Sequence, residues 1–265
     1  MMNRLEQRLA ELKKKKQKAL ALFVTAGDPS LKVTEQVVRF CDRSGVDLIE
    51  IGVPFSDPIA DGPVIQASAF RALEKGVHLK QILGLVRRLR GEGLQIPIVL
   101  MSSANPLYGT GWVSVARDLS EAGVDGVIIP DLPLEESAEL RRAFERRDLV
   151  NIMMTTPTTE GRRRRDILRS SRGFVYFVAL IGLTGDRHES AAIISRRIRE
   201  ARLTATSPVL AGFGISGPAD ARAMCSAADG VIVGSALVQH LHQHSPRNLS
   251  DRSRKFILSL LKAVK

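Results

Sequence analysis

A carboxylate stands inside an apolar stretch of this sequence, and further acids follow in the next loop. In "IEIGVPFSDPIADGP", residues 49–63, Glu50 lies among residues typical of a buried strand, whereas Asp57 and Asp61 lie in the turn-rich segment after it. A lone buried carboxylate is costly unless it is paired, protonated or used in chemistry. Glu50 is therefore a candidate general acid or base, and the alternative is a salt-bridged structural acid.

Apolar, β-branched runs alternate along the chain with stretches of helical periodicity, as parallel βα units require. Eight strands are predicted, at Ala19–Thr25, Val46–Gly52, Ile96–Met101, Val124–Pro130, Leu149–Met154, Gly173–Ala179, Pro208–Phe213 and Asp229–Gly234. Helices are predicted at residues 3–16, Leu31–Arg43, Leu79–Arg90, Leu134–Arg146, Ala191–Ala201 and 251–264. Eight βα units predict an α/β fold, a single-domain (β/α)8 TIM barrel over residues 1–265 with an extra N-terminal helix and an extra C-terminal helix.

In such a barrel the chemistry lies at the carboxyl ends of the strands. The acids at or after these ends are Asp28, Glu50, Asp57, Asp61 and Asp131. Glycine-containing loops follow the last three strands, as "GLTG" (182–185), "GFGIS" (212–216) and "VGSA" (233–236). Backbone N–H groups in such loops, and at a helix N-terminus, converge on anions, so these loops predict a phosphate site.

Composition narrows the possible partners. Lys and Arg number 39 against 28 Asp and Glu, a formal net charge of +11. The basic runs at residues 13–16 and 162–165 are short and carry no interleaved aromatic residues, so we expect no nucleic-acid partner. The basic surface suits an acidic partner or anionic substrates instead.

The cysteines and the N-terminal stretch predict a cytoplasmic protein. Cys41 and Cys225 lie far apart in predicted helices, which gives neither a disulfide framework nor metal-type spacing. The stretch from residue 3 to residue 18 is charged and amphipathic without the apolar segment of a secretory signal, and no run is long enough for a membrane span.

Five motifs together resemble one enzyme family. They are "FVTAGDP" (23–29), "EIGVPFSDPIADGP" (50–63), "GVDGVIIPDLP" (123–133), "GFGIS" (212–216) and "GSA" (234–236). The chain resembles the tryptophan synthase alpha-subunit family from end to end. The resemblance implies a lyase that splits indole-3-glycerol phosphate into indole and glyceraldehyde 3-phosphate by a retro-aldol step. It also implies an α2β2 heterotetramer, with no cofactor in this chain and pyridoxal phosphate in the beta subunit that receives the indole.

The resemblance also implies a role for individual residues. Glu50 would protonate C3 of the indole and accept the proton of the side-chain hydroxyl, Asp61 would accept the indole N–H, and Tyr176 would lie beside Glu50. The implied indole and substrate contacts are Phe23, Ile65, Thr184 and Phe213. The implied phosphate contacts are Gly185, Gly214, Gly234 and Ser235. Asp57 would face the beta subunit.

Structural alternatives exist for several of these residues. Asp61 could cap a helix that starts near Pro63. Asp57 could belong to an Asx turn. Tyr176 and the apolar residues could be core, and the glycines could mark tight turns.

Retro-aldol cleavage needs an electron sink, which other barrel aldolases supply with a Schiff-base lysine or a metal. Every lysine is predicted in a helix, a loop or a chain end, and none at the carboxyl end of a strand. His240, His242 and His244 share one helical segment, on which only His240 and His244 could face the same way, so no metal site is expected. A protonated indole supplies its own sink, so carboxylates suffice.

Two departures from the family pattern leave an alternative open. Ala179 and Leu180 stand where the family has Ser-Arg before the glycine lid, and Ser103 stands where it commonly has tyrosine. A catalytically impaired subunit, kept to bind and activate a beta subunit, is therefore the alternative. A sugar isomerase of histidine biosynthesis would want catalytic aspartates at the ends of strands one and five. Asp28 fits the first position, but strand five ends in Thr155 and Thr156, which argues against this alternative.

Overall fold

The computed structural model describes residues 3–109, 111–179, 191–212 and 214–265. Its strands are β1 (Ala19–Thr25), β2 (Leu48–Gly52), β3 (Ile98–Met101), β4 (Gly126–Ile128), β5 (Val150–Ile152), β6 (Met154–Thr155), β7 (Val175–Val178), β8 (Val209–Gly212) and β9 (Gly230–Val233). All pairings are parallel, in the order β5-β4-β3-β2-β1-β9-β8-β7-β6.

The two strands at the ends of this order are consecutive in the chain, separated by Met153 alone. β5 pairs with β4 and β6 pairs with β7, so together they act as one fifth strand that closes the sheet. The nine segments therefore occupy eight strand positions, and the predicted (β/α)8 barrel is confirmed.

The helices cover the outside of the sheet. They are α1 (Arg4–Lys14), α2 (Leu31–Ser44), α3 (Pro63–Leu73), α4 (Leu79–Gly91), α5 (Ala104–Tyr108), α6 (Trp112–Ala122), α7 (Ala138–Glu145), α8 (Gly161–Ser170), α9 (Ala191–Thr204), α10 (Pro218–Cys225), α11 (Ser235–His244) and α12 (Asp251–Val264). The predicted extra helices are present as α1 and α12. None of these helices is long and apolar enough to cross a membrane.

The prediction of one continuous helix was wrong for one segment of the chain. The pattern over Leu134–Arg146 predicted a single helix, but a 3₁₀ turn at Leu134–Glu136 precedes α7. The break occurs at Ser137, whose hydroxyl donates to the Leu134 carbonyl at 2.8 Å. Such local side-chain bonds compete with the helical hydrogen-bond ladder.

α1 closes the amino end of the barrel. Leu5, Leu9 and Leu12 recur at helical spacing on one face and are buried against the interior side chains of the strands. The Asn3 side chain caps the helix by accepting from Leu5 N at 3.0 Å, and its amide donates to the Asp125 carbonyl at 2.8 Å. The helix is thereby fixed under the strands.

Three aspartates clamp the amino ends of neighbouring strands. Asp47, Asp125 and Asp229 each directly or nearly precede a strand, and each side chain accepts the N–H of a residue at the start of the adjacent strand. These bonds come from Leu20 (2.7 Å), Ile98 (2.8 Å) and Val209 (3.0 Å), respectively. Each carboxylate also pairs with a basic side chain. This end of the barrel is therefore built for stability.

Glycines open the other end of the barrel interior. A Cβ added to Gly52 would lie 2.5 Å from Phe23 Cζ, and one added to Gly212 would lie 2.7 Å from Tyr176 Cζ. Both distances are too short for any side chain. The missing side chains therefore give room to two aromatic rings near the carboxyl ends of β1 and β7.

Candidate active site

A cavity of about 460 Å³ opens at the carboxyl ends of the strands. Its apolar wall includes Phe23, Ile65, Met101, Pro130, Met154 and Ile232. Asp61, Tyr176 and the segment 214–216 line it further, as do Gly234, Ser235 and Ala236. Residues predicted from distant parts of the sequence thus share one cavity of a size suited to a small molecule.

Glu50 lies behind this cavity rather than in its wall. It is fully buried on β2, paired in register with Phe23 of β1 and Val99 of β3. Strand alternation places it on the same face as Leu48, which packs in the barrel interior. Neither carboxylate oxygen has a hydrogen-bond partner among the described residues. The described residues therefore supply no partner for the salt-bridged alternative.

Burial raises the pKa of the Glu50 carboxyl from 4.5 to about 8. The cause is desolvation, because a charge without partners is disfavoured in a low-dielectric interior. At neutral pH Glu50 is therefore mostly protonated. It can donate a proton first and accept one afterwards.

Asp61 is half-buried in the cavity wall, at the end of the loop between β2 and α3. Burial raises its pKa from 3.8 to about 6. Its side chain does not cap α3, since the N-cap is Gly62 and no side chain makes the cap hydrogen bond. Asp61 is thus mostly ionised at neutral pH and free to accept a hydrogen bond from a ligand.

Tyr176 joins the two acids from the opposite side of the barrel. It lies on β7, lines the cavity and is 5% exposed. Burial raises the pKa of the Tyr176 phenol well above its ordinary value, and the negative charges of Glu50 and Asp61 raise it further. The phenol therefore stays neutral. Tyr176 and Asp61 line the same cavity, and the buried Glu50 lies behind it.

The different environments of the acids divide their roles. Between pH 6 and 8, the pKa values of about 8 and about 6 leave Glu50 as the acid and Asp61 as the base. Two titratable groups whose pKa values are pushed apart are the arrangement used for acid and base chemistry at one site. The site can therefore supply a proton at one point and stabilise a positive charge at another.

The N-terminus of α11 presents backbone N–H groups of the kind that favour an anion. Gly234 is the N-cap and has no side-chain cap, and the first helical bond to it comes from Val238 N at 3.0 Å. The N–H groups of Ser235 and the next residues are free of helical partners, as at any helix start. Gly214 approaches from the β8 loop with a φ of 73°, a left-handed conformation that favours glycine. The three residues predicted to contact phosphate in this region thus line the same cavity.

The apolar slot includes residues that were not predicted as substrate contacts. Phe23 and Ile65 line the cavity as predicted, but so do Met101, Met154 and Pro130. These last three lie at or just after the ends of strands three, five and four. Their strand-end positions are therefore the sequence signal that identifies them.

The remaining acids at the carboxyl ends have partners or are exposed. Asp28 is paired with Arg71, which donates to its two oxygens at 2.9 and 2.7 Å. Asp131 accepts the N–H of Ala104 at 2.9 Å and so fixes the start of α5. Asp57 is exposed, outside the cavity wall, and accepts from the Ser56 hydroxyl at 2.8 Å. Tertiary partners thus distinguish Asp28 and Asp131 from Glu50 and Asp61, and exposure distinguishes Asp57.

Some predicted contacts lie outside the described residues. They are Thr184, Gly185 and Phe213, together with Leu180 of the altered glycine lid.

His240 and His244 of α11 face the same way, as expected. The rings of His240 and His244 lie 4.5 Å apart, and His240 stacks on Phe256 at 4.7 Å. Across the described ranges, no group of three or more His, Cys, Asp or Glu residues is placed to hold a metal ion. The absence of a metal site stays a prediction.

Comparisons with known proteins agree along the whole chain. A family model described as "Tryptophan synthase alpha chain" matches residues 9–263. The tryptophan synthase alpha chain of Citrifermentans bemidjiense is 46% identical over 263 residues, which are 99% of this chain and 98% of the relative. That of Geobacter sulfurreducens is 44% identical, with 99% of both chains covered.

Solved structures give the same result. The alpha subunit of tryptophan synthase from Legionella pneumophila superposes with a TM-score of 0.91 at 32% identity, covering 100% of this chain and 99% of that one. A chain of tryptophan synthase from M. tuberculosis, in an aminoacrylate-bound form, gives a TM-score of 0.87 at 30% identity, with 99% and 100% covered.

Proposed function

The chain belongs to the tryptophan synthase alpha chain family, and from this premise we propose that it cleaves indole-3-glycerol phosphate to indole and glyceraldehyde 3-phosphate. The observation that carries the proposal is one apolar cavity with Asp61 and Tyr176 in its wall and the buried, unpartnered Glu50 behind it. Burial raises the pKa of Glu50 to about 8 and that of Asp61 to about 6. A retro-aldol step on an indole needs one acid, one charge-stabilising base and a flat apolar slot.

Protons move through Glu50 in both directions. Its protonated carboxyl gives a proton to C3 of the indole, which leaves a positive charge on the ring nitrogen. The ionised Asp61 accepts the ring N–H and stabilises that charge. The carbon–carbon bond then breaks, its electron pair restores the indole, and the hydroxyl proton of the glycerol chain returns to Glu50. The carboxyl group thus ends the reaction as it began.

Glu50 has to turn toward the cavity to reach C3, because it lies behind the wall. Its carboxyl has no hydrogen bond to break among the described residues, so this rotation costs little. Tyr176, neutral throughout, packs beside it. Phe23 and Ile65 hold the indole ring, to which we add Thr184 and Phe213 from the resemblance.

The phosphate of the substrate binds at the N-terminus of α11. The backbone N–H groups of Ser235 and its successors, with Gly214 and Gly234 close by, offer donors and the positive end of the helix dipole. Gly185 completes the set of proposed contacts.

We further propose the assembly and setting of the chain. The exposed loop that carries Asp57, and Ile59 at 81% exposure, faces a tryptophan synthase beta subunit in an α2β2 heterotetramer. This subunit itself uses no cofactor, and the beta subunit carries pyridoxal phosphate and receives the indole. Residues 1–265 act as one cytoplasmic domain.

Indole release tests the proposal directly. The purified chain is mixed with indole-3-glycerol phosphate, with and without a matching beta subunit, and indole is measured over time. We expect release that depends on the chain and rises when the beta subunit is added. No release in either mixture would contradict the lyase function. It would instead indicate the impaired alternative, which the comparisons do not favour.

A further inference from the structure

A small side chamber adjoins the main cavity at the β2 and β3 end of the site. Its volume is about 30 Å³. The two spaces share the wall residues Phe23, Ala60, Asp61, Ile65, Met101 and Pro130. The chamber therefore lies directly beside the proposed indole slot, on the side of Asp61.

The chamber has room for one small group. A water molecule needs about 10–15 Å³ of such space, so 30 Å³ holds a methyl group or a chlorine atom but no further ring. Its own walls are mostly apolar and include Val53, Phe55, Pro58 and Ala69.

Two of the hydroxyl groups beside the chamber, those of Thr25 and Ser102, are already used. Thr25 bonds to the Ser68 hydroxyl at 2.6 Å, and the Ser102 hydroxyl donates to the Ser103 carbonyl at 2.9 Å. An apolar group can therefore enter without leaving these polar atoms unpaired.

We propose that this chamber is a subsite for a small apolar substituent on the benzene ring of the indole. The inference rests on the proposed function, in which Asp61 accepts the ring N–H. Asp61 lies in the wall that the cavity and the chamber share. The chamber therefore lies next to the edge of the indole ring nearest the ring nitrogen, at positions 6 and 7. Position 4 adjoins C3 and points away from the chamber. The chain therefore acts on 6-methyl and 6-chloro substrates.

Ser103 sets the size of the chamber. It is half-buried in the chamber wall as the N-cap of α5, and its side chain makes no cap hydrogen bond. Its backbone, at φ −61° and ψ 158°, is extended and accepts any residue. A larger side chain here fills the chamber without breaking a hydrogen bond.

The reverse reaction gives the test, because substituted indoles are simple reagents. Indole and glyceraldehyde 3-phosphate combine as C3 adds to the aldehyde carbon, the C3 proton leaves through Glu50, and the aldehyde oxygen gains a proton. We compare kcat/KM for indole, 6-methylindole and 4-methylindole.

We expect 6-methylindole to react within about threefold of indole, and 4-methylindole to lose tenfold or more, since a misplaced methyl group changes discrimination by about 10–200-fold. A tenfold loss with 6-methylindole as well would overturn the subsite. No reaction with indole itself would contradict the proposed function, and the subsite with it.

Variants assign the effect to the chamber. Ser103→Leu should lower the ratio of 6-methylindole to indole activity by tenfold or more, whereas Ser103→Ala keeps it. Asn105→Leu adds similar bulk at an exposed position of α5 outside the chamber and should also keep the ratio. Ala69→Val, elsewhere in the chamber wall, is a second filling variant in case Ser103→Leu folds poorly. An unchanged ratio in both filling variants would contradict the inference.

Discussion

Two kinds of buried acid lie within a few residues of each other, at the start and in the middle of β2. Asp47, just before its amino end, and Glu50, in its middle, are both fully buried. Asp47 accepts hydrogen bonds from Arg8 and Lys265, both at 2.8 Å, and from Leu20 N at 2.7 Å. Glu50 accepts none within the described part of the chain.

The difference shows how the barrel separates stability from chemistry. A buried charge with several partners stabilises the ends of the strands that it joins, and the removal of one partner is costly. A buried acid without partners is instead kept neutral by desolvation, and the pKa of Glu50 is accordingly raised to about 8. The amino end thus holds the structure, while the carboxyl end keeps an acid ready to give up its proton.

Removal of the Glu50 proton carrier should have the largest effect on activity. We expect Glu50→Gln to lower the rate of indole release by about 10²–10⁴-fold, the usual contribution of general acid–base catalysis. The fold should be kept, because the amide has the same shape and no buried charge is left alone. Steady-state kinetics and a thermal melt check both points, and turnover near the wild-type rate would show that Glu50 carries no proton.

The opposite pattern is expected at the amino end. Asp47→Ala should lower the free energy of unfolding by about 3–5 kcal/mol, because Arg8 and Lys265 lose their common partner. The activity of the protein that remains folded should be unchanged. Urea unfolding measures the loss, and a loss no greater than that of Glu50→Gln would remove the contrast between the two ends.

Much of this contrast was predictable from the sequence, and some was not. The alternation of strands and helices predicted the barrel, and α12 begins and ends where its pattern predicted. Glu50 was predictable because a carboxylate inside an apolar strand is costly. The lack of partners for Glu50 was not predictable. Asp28 and Asp131 look equally suitable for catalysis in the sequence, and only the tertiary fold supplies them with hydrogen-bond partners.

The split of the fifth strand and the side chamber beside Ser103 were likewise beyond the sequence. Both depend on how the closed barrel spaces its neighbours, which no local pattern records.

The pH dependence of stability should also separate Glu50 from a paired acid. Its folded pKa of about 8 lies above the ordinary 4.5, so the folded state binds the proton more tightly than the unfolded state. This contribution is fully present below pH 4.5 and is lost as the pH rises through 8. Urea unfolding gives the free energy of unfolding of Glu50→Gln minus that of wild type. This difference should be more favourable to the variant at pH 8 than at pH 5 by a few kcal/mol, since each pKa unit is worth about 1.4 kcal/mol. An equal difference at both pH values would place the Glu50 pKa near normal.

A new charge at the carboxyl end should affect binding rather than folding. We expect Gly234→Asp to weaken the affinity for glycerol 3-phosphate by about tenfold or more, because like charges repel at the N-terminus of α11 and 1.4 kcal/mol corresponds to tenfold. Stability should be kept, since Asp is a favoured N-cap residue. Gly84→Asp in α4, where an added Cβ meets nothing within 4 Å, is the control for net charge. Unchanged affinity in Gly234→Asp would place the anion elsewhere.

The protonation state of Glu50 is the central claim, and infrared difference spectroscopy measures it without any substrate. The spectrum of wild type minus Glu50→Gln at pH 7 should contain the carbonyl band of a protonated carboxylic acid, and that band should disappear as the pH is raised through about 8. Absence of the band at pH 7, or its loss near pH 4.5, would show that Glu50 is ionised in the resting protein and would contradict the account.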